Sequence, residues 1–302
     1  MVNELSNTAK RVLAAAVLLV ILLFIFFLGE NAFIIFLILV GFLLIDETVI
    51  NMFKYKRKSF GYFLNVFLYL LFINLSLYFC YPQYHSFYLS FINLESVDSI
   101  LKPSHPLFYQ FAWFVTMVHC LAIIYLFFVS INNLSIVYWL KKIKVFWGLY
   151  FFLNIALFIL LIIFGKDQWK HLLALLFIIC FGMDTGAWFF GRKFGKNKLW
   201  VSVSPNKTIE GVIGGVFLSG VLASLYYICF FEFKSPFIMV LFPFLGAISH
   251  LGDLFQSKMK RQCGVKNSSS LIPGHGGVYD RLDSVLFLTP FYLLVLFYYG
   301  VF

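Results

Sequence analysis

Long apolar segments recur along almost the whole chain, and they restrict its fold more than any other feature. The protein has 302 residues, of which 62% are hydrophobic and only 12% are charged, whereas about a quarter of the residues in a soluble domain are charged. An apolar segment of about 20 residues can cross a bilayer as a helix, and a helix satisfies its own backbone there. The chain is therefore predicted to be an all-α polytopic membrane protein.

The apolar pattern predicts about nine transmembrane helices. The first two are short and meet at a tight turn around Gly29, so that a re-entrant pair is an alternative for them. Residues 1–165 hold few polar side chains and are expected to form an N-terminal scaffold, whereas residues 166–302 hold nearly all the polar chemistry. The nine segments are residues 12–28, 31–45, 60–81, 109–130, 146–164, 170–189, 210–231, 236–256 and 284–302.

The positive charges predict the topology of the chain. A net charge of +10 would suggest nucleic acid as a partner of a soluble protein, but Lys and Arg in the short loops of a membrane protein set its orientation instead. With the N-terminus inside and the C-terminus outside, only Lys102, Lys166, Lys170 and Lys234 face outward, which leaves 19 of the 23 basic residues on the cytoplasmic side. No nucleic-acid partner is expected.

Asp184 is a polar residue inside the sixth apolar segment, in the motif Asp-Thr-Gly-Ala-Trp-Phe-Phe-Gly-Arg at residues 184–192. A carboxylate at that depth costs a few kcal/mol unless it is paired or hydrated, so it marks a functional site by default. A structural ion pair with Arg192 or with a neighbouring helix is the alternative, and the two roles are compatible.

A second motif, Ser-Pro-Asn-Lys-Thr-Ile-Glu-Gly at residues 204–211, precedes the seventh segment. Ser204 or Thr208 is expected to cap the helix that follows, with Glu210 in its first turn. A helix N-terminus beside Lys207 also forms an anion site. The motif therefore predicts both a helix start and a phosphate contact.

The third motif is a polar block at residues 252–283, which holds three aspartates and five Lys or Arg residues. Carboxylates with retained waters hold Mg²⁺, cations neutralise phosphates, and the amides of a glycine loop can approach a phosphate closely. The block therefore suits a metal–polyphosphate site, whereas a basic run that only sets topology would not need the interleaved aspartates. His275 could bind a phosphate, act as a base or fix the loop, and no other His or Cys lies at zinc-ligand spacing.

Together these motifs resemble the phosphatidate cytidylyltransferases, also called CDP-diacylglycerol synthases. The resemblance covers about residues 175–290, and the combination of motifs is specific although no single piece is. It rests on Asp184 through Arg192, the motif at residues 204–211, Gly-Asp-Leu at 252–254, Ser-Lys-Met-Lys-Arg at 257–261, Pro-Gly-His-Gly-Gly at 273–277 and Asp-Arg-Leu-Asp at 280–283.

The resemblance implies an enzyme of phospholipid biosynthesis that joins CTP and phosphatidic acid, with CDP-diacylglycerol and pyrophosphate as products. It implies a polar cavity in the C-terminal half that opens to the cytoplasm and to the lipid. A bacterial inner membrane is the expected location because the chain is compact and shows no targeting extension, and a homodimer is left open. The metal-binding aspartates of the family fall on Asp253 and Asp280, with Mg²⁺ expected and a second cation such as K⁺ left open.

The site residues divide into two expected groups. Catalytic roles are expected for Asp253, Lys260, Arg261, His275, Asp280 and Asp283. Substrate binding is expected for Asp184, Ser204, Lys207, Thr208, Glu210, Ser257, Lys266, Gly276, Gly277 and Arg281.

Two positions depart from the family pattern. Gln256 stands where the family commonly has Glu, and Asn267 stands where it has Asp. Each replacement removes a carboxylate but keeps an oxygen acceptor. A divergent or weakened paralogue that uses another lipid phosphate is therefore one alternative, and a transporter that uses intramembrane carboxylates as an ion path is another.

Overall fold

Helices make up most of the chain in the computed structural model, which describes residues 7–80, 105–143, 145–231, 236–272 and 276–301. This confirms the prediction of an all-α polytopic architecture. The helices are α1 Asn7–Leu28, α2 Glu30–Asp46, α3 Phe60–Cys80, α4 His105–Phe128, α5 Ser135–Lys142, α6 Phe146–Gly165, α7 Trp169–Phe194, α8 Ile209–Phe230, α9 Phe237–Gln262 and α10 Tyr279–Tyr298.

Seven segments of the described residues are long and apolar enough to cross a membrane. The longest, Phe146–Phe194, contains both α6 and α7, because Lys166 takes a φ of 43° and interrupts the helix. The apolar part of α1, Ala16–Leu28, is shorter than the other segments. The turn expected at Gly29 is present, with a φ of 99°. The count of nine crossings and their orientation stay predictions, as does the division of the chain at residue 165.

Three element boundaries differ from the sequence prediction in ways that shape the site. Helix α9 continues to Gln262, so the basic stretch at residues 258–261 lies on the same helix as Asp253 rather than on a separate one. Helix α10 begins at Tyr279, which places Asp280 and Asp283 in its first two turns. Helix α2 continues into a π-helical turn, Glu47–Met52.

A small antiparallel hairpin lies between α7 and α8, which the sequence analysis did not predict. It pairs β1 Lys198–Trp200 with β2 Ser204–Thr208. Polar and turn-forming residues hide the strand pattern, because these strands have only three and five residues and too few apolar positions to show an alternation.

Small residues let α7 and α8 approach each other closely. A Cβ atom on Gly186 would lie only 2.8 Å from the Cα atom of Gly215. Close approach of this kind stabilises membrane helices, since lipid supplies no hydrophobic driving force between them. On the other side, Gly252 of α9 leaves room for Phe287 of α10. Asp184, Asp253 and Asp283 are thus carried by helices that pack tightly.

Lys258 and Gln262 at the end of α9 hold the end of α4 and the loop after it. The fully buried Lys258 ammonium donates to the carbonyls of Tyr125 and Leu126 at 2.9 Å each, and also to that of Val129. Gln262 donates to the Asn133 carbonyl at 2.9 Å. A cation is favourable at the carbonyls of a helix C-terminus, so Lys258 acts as a cap for α4.

Candidate active site

The first element of the site is an ion pair between the two regions that the sequence analysis singled out. The Lys207 Nζ atom of β2 lies 2.7 Å from the Asp253 Oδ2 atom of α9. Nζ is buried, and no further partner of it is found among the described residues. Ser257, one turn along α9, donates to the other oxygen of Asp253 at 3.2 Å.

Asp280 is the second centre of the site, and both of its oxygens are occupied. Oδ1 lies 2.8 Å from the Lys260 Nζ atom, and the Gln256 amide donates to it at 3.4 Å. Oδ2 accepts the backbone N–H groups of Ser268 and Gly277 at 2.9 Å each. One carboxylate therefore holds the backbone at Ser268 and at Gly277 as well as a lysine.

Two further carboxylates, those of Asp184 and Asp283, lie near these two ion pairs. Asp184, Asp253 and Asp283 lie near enough to interact electrostatically. The positive charges of Lys207 and Arg281 attract the carboxylate of Asp184. The charge of Lys260 attracts the carboxylates of Asp253 and Asp283. Asp184 lies ten residues before the end of α7. Among the ion pairs of the described residues none joins Asp184 to Arg192, whose guanidinium lies over the Trp188 ring.

The motif at residues 204–211 forms the helix start that its sequence predicts. Thr208 rather than Ser204 is the cap, because its Oγ1 atom accepts the Gly211 N–H at 3.2 Å. Ser204 lies in β2 opposite Trp200. Glu210 accepts the backbone N–H groups of Lys196 and Asn197 at 3.1 Å each, so it holds the turn that brings Lys207 toward Asp253.

The remaining candidates of the polar block lie at its edge. Arg261 and Lys266 are exposed, and Arg261 reaches only the Val265 carbonyl, at 3.4 Å. Gly276 and Gly277 are buried, and Gly276 takes a φ of 90° beside Asp280. His275 lies outside the described residues. Burial raises the pKa of the nearby Cys263 thiol to about 11, so this thiol stays protonated near neutral pH and is a poor nucleophile.

Glu47 is a residue of this region that the sequence analysis missed. It lies at the start of the π-helical turn after α2, is 3% exposed, and accepts hydrogen bonds from Ser269 at 2.7 Å and from the Tyr279 N–H at 2.9 Å. Glu47 lies two residues beyond the predicted apolar segment at residues 31–45, so the sequence pattern did not mark it as an intramembrane carboxylate. The low polarity of the N-terminal half led instead to its description as a scaffold.

A pocket of about 540 Å³ adjoins Glu47. Its walls come from the end of α2, the start of α3 and the loop at residues 269–271. At its polar end Asp46 pairs with Arg57 at 2.9 Å. This hydrogen bond and the charge of Asp46 raise the pKa of Arg57, which therefore keeps its positive charge.

The donor chemistry around Asp253 fits a hard divalent cation. Each Asp253 oxygen has one close partner, which leaves lone pairs for a metal, and the carboxylates of Asp184 and Asp283 are near. Asp280 has four donors, so it could accept a metal only after Lys260 or Gln256 turned away. No three His, Cys, Asp or Glu side chains among the described residues already form a ligand set.

The family model called Cytidylyltransferase family matches residues 9–299. The chain belongs to the cytidylyltransferase family. This match covers the N-terminal half as well, where the sequence motifs gave no information beyond hydropathy. The lysines and carboxylates described above are thus those of a cytidylyltransferase family member.

Individual relatives of this cytidylyltransferase family member match a shorter part. A protein named phosphatidate cytidylyltransferase from Bacillus subtilis (strain 168) is 44% identical over 124 residues, which is 40% of this chain and 46% of the relative. One of the same name from Staphylococcus aureus (strain COL) is 43% identical over 127 residues, 41% of this chain and 48% of the relative. The chain thus matches about half the length of these relatives.

Proposed function

We propose that this protein is a phosphatidate cytidylyltransferase, which makes CDP-diacylglycerol and pyrophosphate from CTP and phosphatidic acid. The observation that supports this best is the pairing of Lys207 with Asp253 at 2.7 Å, beside Lys260 and Asp280 at 2.8 Å. Two lysines and four carboxylates close together suit a reaction between two anionic phosphates. Family membership and the names of the bacterial relatives support the choice of substrates.

The reaction forms one bond and breaks one. An oxygen of the lipid phosphate attacks the α-phosphorus of CTP, the bond from that phosphorus to the β-phosphate oxygen breaks, and pyrophosphate leaves with the electron pair. The lipid phosphate is largely ionised near pH 7, so a strong general base is not required. Catalysis then depends on position and on electrostatic stabilisation of the phosphates.

Lys207 and Lys260 are the residues best placed to bind phosphate oxygens. An ammonium group has three N–H donors, and one ion pair uses at most one of them. Each lysine can therefore bind a phosphate while it stays beside Asp253 or Asp280. Arg281, whose charge attracts the carboxylate of Asp184, adds a third positive charge. Arg261 and Lys266 are exposed and extend the basic surface outward.

Mg²⁺ is the expected cofactor, and Asp253 is its first ligand in this proposal. Asp184 and Asp283 are near enough to be further ligands, and Asp280 could bind the metal once Lys260 or Gln256 turns away. Bound there, Mg²⁺ would neutralise charge on the phosphates. The proposed location is the cytoplasmic side of a bacterial inner membrane, with nine crossings and the N-terminus inside. The excess of Lys and Arg in the loops on that side supports this orientation.

The test is the CTP- and Mg²⁺-dependent conversion of labelled phosphatidic acid to CDP-diacylglycerol by purified protein in detergent–lipid micelles. We expect turnover that stops with EDTA and returns with excess Mg²⁺. Parallel reactions with other lipid phosphates, such as lysophosphatidic acid and an isoprenoid phosphate, test the divergent paralogue suggested by Gln256 and Asn267. Faster turnover of one of these would reject phosphatidic acid as the substrate, and a folded protein inactive on all of them would reject the proposal.

A further inference from the structure

Glu47 is a buried acid whose carboxylate makes hydrogen bonds to one segment only. Oε1 accepts from Ser269 Oγ at 2.7 Å and from the Val278 N–H at 2.8 Å, and Oε2 accepts from Ser268 Oγ at 3.0 Å and from the Tyr279 N–H at 2.9 Å. None of the ion pairs between described residues includes Glu47. A buried carboxylate without a cation is tolerated only when its hydrogen bonds are satisfied, and these four donors provide that.

Glu47 also supplies the cap that α10 lacks locally. Val278, the N-cap residue of α10, offers no side-chain hydrogen bond to the helix start. The first N–H groups of a helix need acceptors, and a negative charge is favourable there. Glu47 fills this role from a position 231 residues earlier in the chain.

Glu47 and Asp280 hold the same short piece of backbone from opposite sides. Ser268 donates its hydroxyl to Glu47 at 3.0 Å and its N–H to Asp280 at 2.9 Å. The Gly277 N–H also donates to Asp280 at 2.9 Å, and a Cβ atom on Gly277 would meet both Glu47 and the Ser268 hydroxyl. Because Ser268 binds both carboxylates, a shift of Glu47 that moves Ser268 also disturbs the hydrogen bond from Ser268 to Asp280.

From this geometry we infer that Glu47 is a positioning residue for Asp280, through which the N-terminal half fixes Ser268, Ser269 and the start of α10. Glu47 touches no reacting group. The inference rests on the proposed function in taking Asp280 as part of a Mg²⁺-dependent reaction site.

The neighbouring acid, Asp46, gives a matched control. It carries the same charge in the same part of the chain, but it pairs with Arg57 at 2.9 Å and accepts from Tyr62 at 3.0 Å. No hydrogen bond of Asp46 reaches residues 268–279 in the described structure. Glu47→Gln and Asp46→Asn therefore remove one charge each, and only the first affects the loop.

The first readout is hydrogen exchange of backbone amides in the protein without CTP or lipid phosphate. Glu47→Gln places an amide N–H₂ against the Val278 or Tyr279 N–H, so one of them loses its acceptor. We expect exchange in peptides covering residues 266–280 to rise about tenfold or more, with other segments unchanged. Asp46→Asn should leave this region as in the wild type. Unchanged exchange in Glu47→Gln, or faster exchange throughout the protein, would overturn the inference.

The second readout is the Mg²⁺ dependence of turnover. A merely structural role would lower the fraction of active protein without changing the Mg²⁺ concentration that gives half the maximal rate. A displaced Asp280 should raise that concentration about fivefold and lower kcat about tenfold or more, since small misplacements at a reaction site are costly. A lower kcat with unchanged Mg²⁺ dependence would count against the inference.

The double variant Ser268→Ala/Ser269→Ala covers the case in which Glu47→Gln does not fold. It removes two donors and leaves Glu47 in place. Because the Ser269 hydroxyl also accepts the Leu271 N–H at 3.1 Å, the increase that tests the inference, about threefold, is the one in peptides covering residues 276–280. Exchange equal to that of the wild type would overturn the inference. Because exchange needs no substrate, a wild-type protein without turnover would reject the proposed function while exchange still decides the role of Glu47.

Discussion

At the level of single residues, Gln256 shows how an amide fits where the family commonly has a carboxylate. It is 1% exposed, and its N–H₂ group donates to Asp280 at 3.4 Å while its carbonyl oxygen has no partner among the described residues. The amide thus adds a donor to Asp280 without adding a charge. Asn267, the other departure, is exposed and is expected to matter less.

Gln256→Glu should make the stability of the protein depend on Mg²⁺. The change replaces a donor to Asp280 by a second carboxylate, and two adjacent carboxylates repel each other unless a cation or a proton lies between them. In EDTA we expect the free energy of unfolding to fall below that of the wild type by roughly 1–3 kcal/mol, which lowers the Tm. Addition of Mg²⁺ should raise the Tm of the variant more than that of the wild type.

Asn267→Asp is the control for that experiment, because it adds the same charge at an exposed position. Its free energy of unfolding should differ from that of the wild type by no more than about 0.5 kcal/mol, so its Tm should be nearly unchanged. Thermal unfolding in the same detergent–lipid mixture measures both variants. Equal shifts in the two would show that added charge, rather than contact with Asp280, causes the effect.

At the level of elements, the end of α9 serves two purposes that alternate along one helix. Asp253, Ser257 and Lys260 belong to the site, whereas Lys258 and Gln262 hold α4 and its loop. The helical period predicts that neighbouring residues face different sides. It cannot say which basic residue meets a carboxylate and which meets a helix end, because that depends on helices distant in sequence.

Lys258→Met should destabilise the protein without removing its chemistry. Three carbonyls near the end of α4 would lose a charged donor, so the free energy of unfolding should fall by about 2 kcal/mol or more. Turnover per folded molecule should stay within about threefold of the wild type, because Lys258 contacts α4 and the loop after it rather than the carboxylates of the site. Lys56→Met, at an exposed position, should change neither quantity. Normal stability with lost turnover would instead place Lys258 in the reaction site.

At the level of the whole molecule, the sequence predicted the parts better than their connections. The apolar segments and the motifs at residues 204–211 and 252–283 indicated the helices and most of the site, because hydropathy and local turn chemistry are encoded locally. The Lys207–Asp253 pair and the bonds of Glu47 to Ser268 and Ser269 join distant parts of the chain. Such contacts depend on tertiary packing, which one sequence does not reveal.

The most direct test of the central claim, that the Lys207–Asp253 region is the reaction site, is the turnover of Asp253→Asn. The variant keeps the size of the side chain and loses the charge that faces Lys207. We expect insertion and Tm close to those of the wild type, and a fall in CDP-diacylglycerol formation of at least about 100-fold. Asp167→Asn, at an exposed turn between α6 and α7, should keep full activity. Near-normal turnover by folded Asp253→Asn would contradict the account.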